Sequence, residues 1–386
     1  MASKLQADQV LAIVGVGETE FRRRHELGLS ALVVEAARRA IADSGLSARE
    51  IDGIVVPVGM PPIDEIALGA GLAHRRYSAI NAYTPGAGPV AALIEARAAI
   101  LAGRARAVLV PYGIRTSIPG GPYAYHAADP LKADLEMPVG FYGQPIYFAA
   151  IAQRYAYEFG LRPEQLGALA VAQREWAART PNSQKSTRIT LDDYLRSPPI
   201  AGMLRALDCC LITDGAAAYV VTSLAYARRL PQPPAIVAGV AAGSNPWTLT
   251  EMFTQSPRYL DIGPGAVGCQ ALAEAGVTHA DLAFAQIYDC FTMSVLLQLE
   301  SLGFCAAGEG GAFVAGGRTG PGGEFPVNTD GGHLSHAYIP GITHVLEAVR
   351  QIRGTRGAAQ VPGARFGVVS TFAGPDHATL VLARDA

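Results

Sequence analysis

Short apolar runs alternate with amphipathic stretches along the chain. Ala12-Ile13-Val14-Gly15-Val16 is an unbroken apolar run containing a glycine, the pattern of a strand buried on both faces. Over residues 29–42 the apolar positions recur at helical spacing, Ser44-Gly45 supplies a stop, and Arg49-Glu50-Ile51-Asp52 leads into a second apolar run, Gly53-Ile54-Val55-Val56. The same order returns downstream. Ala235-Ile236-Val237-Ala238-Gly239 opens it, Ala275-Gly276 ends a helix, Asp281 sits near a new helical turn, and residues 283–288 read as a strand. Each series also ends on a short strand, at 106–110 and at 365–369. These echoes predict a duplicated, layered α/β architecture with halves 1–230 and 231–386.

Residues of about 115–205 break this rhythm. The stretch from Pro119-Gly120-Gly121-Pro122 to Gly140-Phe141-Tyr142-Gly143 is loop-like. Helices with proline in the first turn are predicted over 145–159 and 163–179, and Pro181-Asn182-Ser183-Gln184-Lys185 reads as a polar turn. The segment is expected to lie over the body as an insertion.

Composition narrows the function classes. Half of the 386 residues are hydrophobic and 17% are charged, which is enough apolar material for one large core. The formal charge of −2 and the scattered Lys and Arg leave no basic stripe for a nucleic-acid backbone. No run of about 20 apolar residues exists to cross a bilayer, and the segment from Met1 to Asp8 lacks the apolar core of a secretory signal, so a cytosolic protein is expected. The five cysteines, Cys209, Cys210, Cys269, Cys290 and Cys305, are odd in number and lack zinc-type spacing; reduced thiols and no metal follow as expectations.

The candidate chemistry gathers in two segments, Ile287-Tyr288-Asp289-Cys290-Phe291-Thr292 and Gly331-Gly332-His333-Leu334-Ser335-His336-Ala337-Tyr338. Tyr288 leaves an apolar strand, a usual place for a reacting group in an α/β sheet. Tyr338 lies in a glycine-rich polar loop before a helix beginning near Ile342. In wording and spacing these segments resemble the sterol-carrier-type branch of the thiolase superfamily, where the two tyrosine positions are normally histidines. Leu207-Asp208-Cys209-Cys210, Leu299-Glu300-Ser301-Leu302-Gly303, Pro326-Val327-Asn328-Thr329 and Gln351-Ile352-Arg353-Gly354 extend the resemblance over nearly the whole chain. It implies the α-β-α-β-α sandwich of the thiolase fold, with the insertion shaping the acyl and pantetheine pocket through Tyr123, Tyr125, Phe141, Tyr142, Tyr147 or Phe148.

A thiolase draws its nucleophile from a cysteine at the N-terminus of a buried helix, where free N–H groups and the helix dipole favour a thiolate. The matching segment here is Tyr83-Thr84-Pro85-Gly86-Ala87-Gly88-Pro89, with Gly86 at the nucleophile position, and the first cysteine of the chain is Cys209. No acyl-enzyme is available there. Gly86 and Gly88 are expected to leave room for substrate or to form a tight turn, and Gly331 and Gly332 to bring backbone close to substrate or likewise to turn the chain. Cys290 holds the cysteine position of the family's His-Asp-Cys-Phe motif and is expected to serve as pocket wall. Asp289 and the flanking His336 are placed with the two tyrosines as catalytic candidates.

The Tyr-Asp-x-Phe and Ala-Tyr-Ile-x-Gly wording is most similar to the lipid-transfer-protein-type aldolases of steroid side chains, thiolase-like proteins without the cysteine. The resemblance implies retro-aldol cleavage of a β-hydroxyacyl-CoA, with the CoA thioester as substrate and no bound cofactor. Such a reaction deprotonates a hydroxyl, stabilises an enolate and reprotonates carbon, which is work for phenols rather than a nucleophile. Tyr338 is assigned as base and Tyr288 as proton donor, with the exchanged roles also open. A tyrosine base, with an ordinary pKa of about 10, needs a partner that the sequence does not identify. The resemblance also implies a homodimer and a separate small OB-fold partner bearing a zinc ribbon. Two other functions stay open: an acyltransferase that uses Cys290, and a noncatalytic acyl-CoA or lipid-binding scaffold.

Overall fold

The computed structural model describes residues 7, 9–117, 127, 130, 132–244, 259–261 and 263–385. Five strands belong to the first series: β1 (Leu11–Glu18), β2 (Gly53–Pro57), β3 (Tyr77–Asn81), β4 (Ala107–Arg115) and β5 (Asp214–Ser223). Four belong to the second: β6 (Ala235–Ser244), β7 (Phe284–Ile287), β8 (Phe366–Ala373) and β9 (Asp376–Arg384). They join in the order β3-β2-β4-β5-β1-β6-β9-β8-β7. From opposite ends, the two series repeat one topology: β1 matches β6, β2 matches β7, β4 matches β8 and β5 matches β9. The parallel pairs β2·β4 and β7·β8 and the antiparallel pairs β4·β5 and β8·β9 agree with this match.

The second copy of β3 has shrunk to a single parallel bridge between Ala285 and Val327. Ala285 N–H donates to Pro326 O, and Ala285 O accepts from Asn328 N–H. The Asn328 side chain then pairs with both N–H and C=O of Ile287, at 2.7 and 2.9 Å. Residues 326–328 therefore cap the outer edge of β7.

Helices complete the layers. The outer helix α1 (Leu29–Ser44) covers β1, β4 and β5, while α2 (Gly88–Leu101), apolar nearly all round, is buried between strands of both series. Of the helices in the inserted region, α3 (Gln144–Phe159) and α4 (Pro163–Ala177) each begin with proline in the first turn. Farther on, α5 (Gly265–Ala275) covers β6 and β9 from outside, and α6 (Thr292–Ser301) follows β7. A short α7 (Gly332–Ser335) precedes α8 (Ile342–Arg353), which joins α2 in the central layer and touches strands of both series. Gly15 and Gly239 occupy equivalent places: a Cβ at either would lie 2.1 Å from a helix carbonyl, Ala40 O or Ala271 O. Each glycine lets an outer helix settle directly on its strand.

The insertion is not a loose cover. Tyr147, Phe148, Tyr155, Leu166 and Leu169 of α3 and α4 are buried in the same apolar cluster as Ile287, Tyr288 and Phe372. Its polar turn is tied down as well, with Gln184 and Lys185 N–H donating to the carbonyls of His336 and Ser335. Tyr123 and Tyr125 lie outside the described residues. Among the described residues, no helix is long and apolar enough to cross a membrane.

Candidate active site

β7 ends at Ile287 and delivers Tyr288 into the interior, where it is 4% exposed. Its N–H continues the ladder to Ser370 O on β8, while its carbonyl accepts from Gln298 Nε2 at 2.7 Å and Ser294 Oγ at 3.2 Å. Tyr338 follows α7 in the second loop, and its N–H donates to Thr213 Oγ1 at 2.9 Å. The two phenol oxygens meet at 3.1 Å, and either one can donate. Tyr338 keeps a partly exposed edge. Burial pushes both phenols well above their ordinary 10, with Tyr338 and Cys290 adding to the rise at Tyr288, and Cys210 and Cys290 adding to it at Tyr338.

Residues 209–213 lace the two loops together. Cys210 N–H donates to Cys290 O, Leu211 N–H to His333 O, and the Thr213 hydroxyl receives Tyr338 N–H. Asp289 makes the other tie: fully buried, it accepts His333 N–H at 2.9 Å and Leu334 N–H at 3.2 Å. Burial raises the Asp289 pKa, while His344 and the two N–H donors oppose the rise. Asp289 thus positions the second loop.

Several residues have a different place from the one their sequence position suggested. His336 was expected beside the tyrosines, but its Nδ1 lies 3.0 Å from Ser183 Oγ and its ring stands edge-on to Phe21 at 5.2 Å. Burial depresses its pKa to about 4. The histidine that does meet both tyrosines is His333, with ring centroids 4.8 Å from Tyr288 and 5.2 Å from Tyr338. The chain carries His333 and His336 in the same glycine-flanked run, and spacing alone gave no reason to prefer the first.

At the glycines the structure favours the turn over substrate space. A Cβ at Gly86 would lie 2.3 Å from Phe372 O and 2.7 Å from the Ala373 Cβ, so protein rather than substrate space fills this place. At Gly88 a Cβ would meet Pro57 and the Tyr83 carbonyl at 3.1 Å. Gly331 (φ 103) abuts Ala177 and Gly332 (φ 58) abuts the Asp289 carboxylate, so closely that a Cβ would come within 2.6 Å of the first and 2.2 Å of the second. Both make the backbone contact that seats the loop on α4 and Asp289. Tyr142 is 46% exposed, at the surface rather than in the buried cluster.

One insertion residue does reach the site: Phe148 stacks on Phe291 at 4.5 Å and tilts against Phe372, whose ring is 5.3 Å from Tyr288. Cys290 is buried, 3.8 Å from Ser294 Oγ, and burial pushes its thiol far up, as it does that of Cys210. Neither is an activated thiolate. A separate cavity of about 700 Å³, walled by Arg154, Glu158, Phe159, Leu260 and Glu300 among others, contains none of these site residues.

A glycine at the nucleophile position and paired tyrosines at the histidine positions define a thiolase-fold protein that works without an acyl-enzyme. The thiolase C-terminal domain-like family matches residues 248–384. The chain is 36% identical over 382 residues to the 17-hydroxy-3-oxo-4-pregnene-20-carboxyl-CoA lyase of Mycobacterium tuberculosis, covering 96% of this chain and 98% of that protein. It is 36% identical over 357 residues to the steroid side-chain-cleaving aldolase of Thermomonospora curvata, covering 89% and 90%. The solved structure of an Ltp2-ChsH2(DUF35) aldolase superposes with a TM-score of 0.88 at 34% identity over 98% of both chains. Human mitochondrial 3-ketoacyl-CoA thiolase, 14% identical with a TM-score of 0.69, shares the fold. The chain belongs to the thiolase superfamily, in its branch of steroid side-chain aldolases without the nucleophilic cysteine.

Proposed function

We propose that the protein is a lyase that cleaves a β-hydroxyacyl-CoA by a retro-aldol reaction, releasing a ketone and a shortened acyl-CoA. The Tyr288–Tyr338 phenol pair at 3.1 Å, in a fold whose nucleophile position is a glycine closed over by protein, carries this reading. Paired phenols answer the difficulty of a tyrosine base, because protons can pass along the pair without a free phenolate. The substrate hydroxyl proton goes to the Tyr338 oxygen, the Tyr338 proton to the Tyr288 oxygen, and the Tyr288 proton to the α-carbon. The electron pair of the breaking Cα–Cβ bond passes through the thioester enolate into the new Cα–H bond, and the hydroxyl carbon becomes a ketone. Each phenol ends with one proton. Tyr338, with its partly exposed edge, takes the hydroxyl side and buried Tyr288 the carbon side; the exchanged roles need only the reverse path.

The names of the relatives support a steroid side-chain thioester as substrate. A tertiary β-hydroxyl suits the chemistry because its carbon carries no hydrogen to lose in a dehydrogenation. The two-component name of the related aldolase, with its DUF35 component, supports a separate partner subunit, which the family resemblance makes a small OB-fold protein with a zinc ribbon. The outer edge of β3, with Ile80 64% exposed, supports pairing with a second copy. A cytosolic location fits this CoA-dependent role. The buried, raised thiol of Cys290 counts against the acyltransferase, and the paired phenols against a scaffold.

The test is turnover of a tertiary β-hydroxyacyl-CoA in D₂O by the chain co-expressed with such a subunit. Ketone and a shortened acyl-CoA carrying one solvent deuterium on the α-carbon are expected, with kcat lowered about 10²–10⁴-fold in Tyr288→Phe and in Tyr338→Phe and unchanged in Cys290→Ala. Bound but uncleaved thioester across a steroid and aromatic panel would instead indicate the scaffold.

A further inference from the structure

Beside the tyrosine pair lies a second constellation that the proton path does not use. Asp289 follows β7, His333 lies in α7 and His344 in the first turn of α8, and all three side chains are fully buried. His344 Nε2 is 3.1 Å and His333 Nδ1 3.3 Å from the same Asp289 Oδ1, and the three ligand atoms all lie within 4.8 Å of one another. By strict hydrogen-bond geometry none of the four ring nitrogens has a well-aligned partner, although His344 stabilises the Asp289 carboxylate and the Ile339 backbone stabilises protonated His333. The approach of His333 to the carboxylate is thus not an aligned N–H donation. Buried polar groups left in this state call for an explanation.

We infer that Asp289, His333 and His344 form a binding site for one divalent transition-metal ion of the zinc and cobalt class. Metal–nitrogen and metal–oxygen bonds of about 2.0–2.2 Å at tetrahedral angles put neighbouring ligand atoms about 3.3 Å apart. The two observed separations from Asp289 Oδ1, 3.1 and 3.3 Å, match this edge length. Two imidazoles with one carboxylate suit zinc or cobalt and disfavour the hard oxygen-seeking cations magnesium and calcium. The second shell is present as well: backbone N–H groups of His333 and Leu334 fix the orientation of the carboxylate. Three protein ligands leave a coordination position open, as catalytic rather than structural zinc sites do. The ring of His333 touches those of Tyr288 and Tyr338, so the ion sits one side chain away from the phenol pair.

The experiment uses the full chain expressed alone, since a zinc-ribbon subunit brings zinc of its own. After stripping with a chelator, the chain is titrated with Co²⁺ and separately loaded with Zn²⁺, then measured for metal content, visible ligand-field absorption and X-ray absorption. One ion per chain is expected, with imidazole scattering around Zn²⁺. In His333→Gln and His344→Asn the affinity falls roughly ten- to hundredfold or more, while His336→Gln, a buried histidine outside the group, keeps it. Failure of the unmutated chain to retain metal, a zinc environment without imidazole, or ligand variants that bind as tightly as the unmutated chain would each overturn the assignment. None of these readouts depends on turnover, so the site and the retro-aldol reading stand or fall separately.

Discussion

Returning a cysteine to the thiolase position should damage this protein rather than convert it. Gly86→Cys puts a Cβ 2.3 Å from the backbone carbonyl of Phe372, where ordinary contact begins at 3.4 Å, so the end of β8 must retreat by about 1 Å. Overpacking against backbone of this kind costs about 1–3 kcal/mol. The retreat carries Phe372 with it, and Phe372 packs against Tyr288 at 5.3 Å. A misplacement of about 1 Å at reacting groups costs roughly a hundredfold in rate. Urea unfolding, lyase turnover, thiolysis of a β-ketoacyl-CoA and intact-mass detection of an acyl-enzyme together read out the variant. The expected result is a stability loss of about 1–3 kcal/mol, lyase activity down about a hundredfold, and neither thiolysis nor acyl-enzyme. Gly28→Cys, where a Cβ meets nothing within 4 Å, controls for the added thiol. If Gly86→Cys matches that control in stability and turnover, the steric argument is wrong. An acyl-enzyme would show that only the missing side chain separates this site from a thiolase.

Two further outcomes follow from the packing. Gly332→Ala combines a left-handed backbone (φ 58) with a Cβ 2.2 Å from the Asp289 carboxylate; strain of about 1–2 kcal/mol and overpacking of about 1–3 kcal/mol should add. Gly103→Ala, at φ 67 with open space around it, should show only the first of these, and equal losses in urea unfolding would remove Asp289 as the seat of the loop. Glu18 is pushed up by burial, but Arg350, His336 and Asn182 outweigh this and hold it at about 2, against its ordinary 4.5. A depressed carboxylate stabilises the fold above the unfolded-state value, so about 3 kcal/mol should be lost as pH falls from 4.5 towards 2. Glu18→Gln should flatten that limb of the stability profile, and an unchanged slope would refute the assignment.

The repeated order of strands and helices was readable because each copy carries the same punctuation. Gly45 and Gly276 end their helices in the left-handed conformation, and Gly15 and Gly239 admit a helix onto their strands. Tyr288 and Tyr338 were readable as a pair because the motif around each holds its place on a strand end and in a loop. What the glycines face was not readable: nothing local to Gly86 or Gly332 reveals that Phe372 and Asp289 press against them from distant parts of the chain. The choice of His333 over His336 turns on which way each ring points in and just after one short helix. The Asp289, His333 and His344 group has no signature in cysteine spacing, since its members come from three separate elements.

The capped edge of β7 limits how these molecules can associate. The backbone groups of Ala285 and Ile287 that face outward are already occupied by residues 326–328, whereas at the opposite end of the sheet β3 pairs only with β2 among the described strands. Growth of a filament by strand addition requires two complementary edges, one to receive and one to offer. Among the described strands of the nine-stranded sheet β3 is the edge left unpaired, so contact between copies through this sheet would be self-matching, β3 against β3 about a twofold axis. Association by this route would then stop at two copies, because the asymmetry that reduced one strand to a bridge leaves this sheet no second edge for growth.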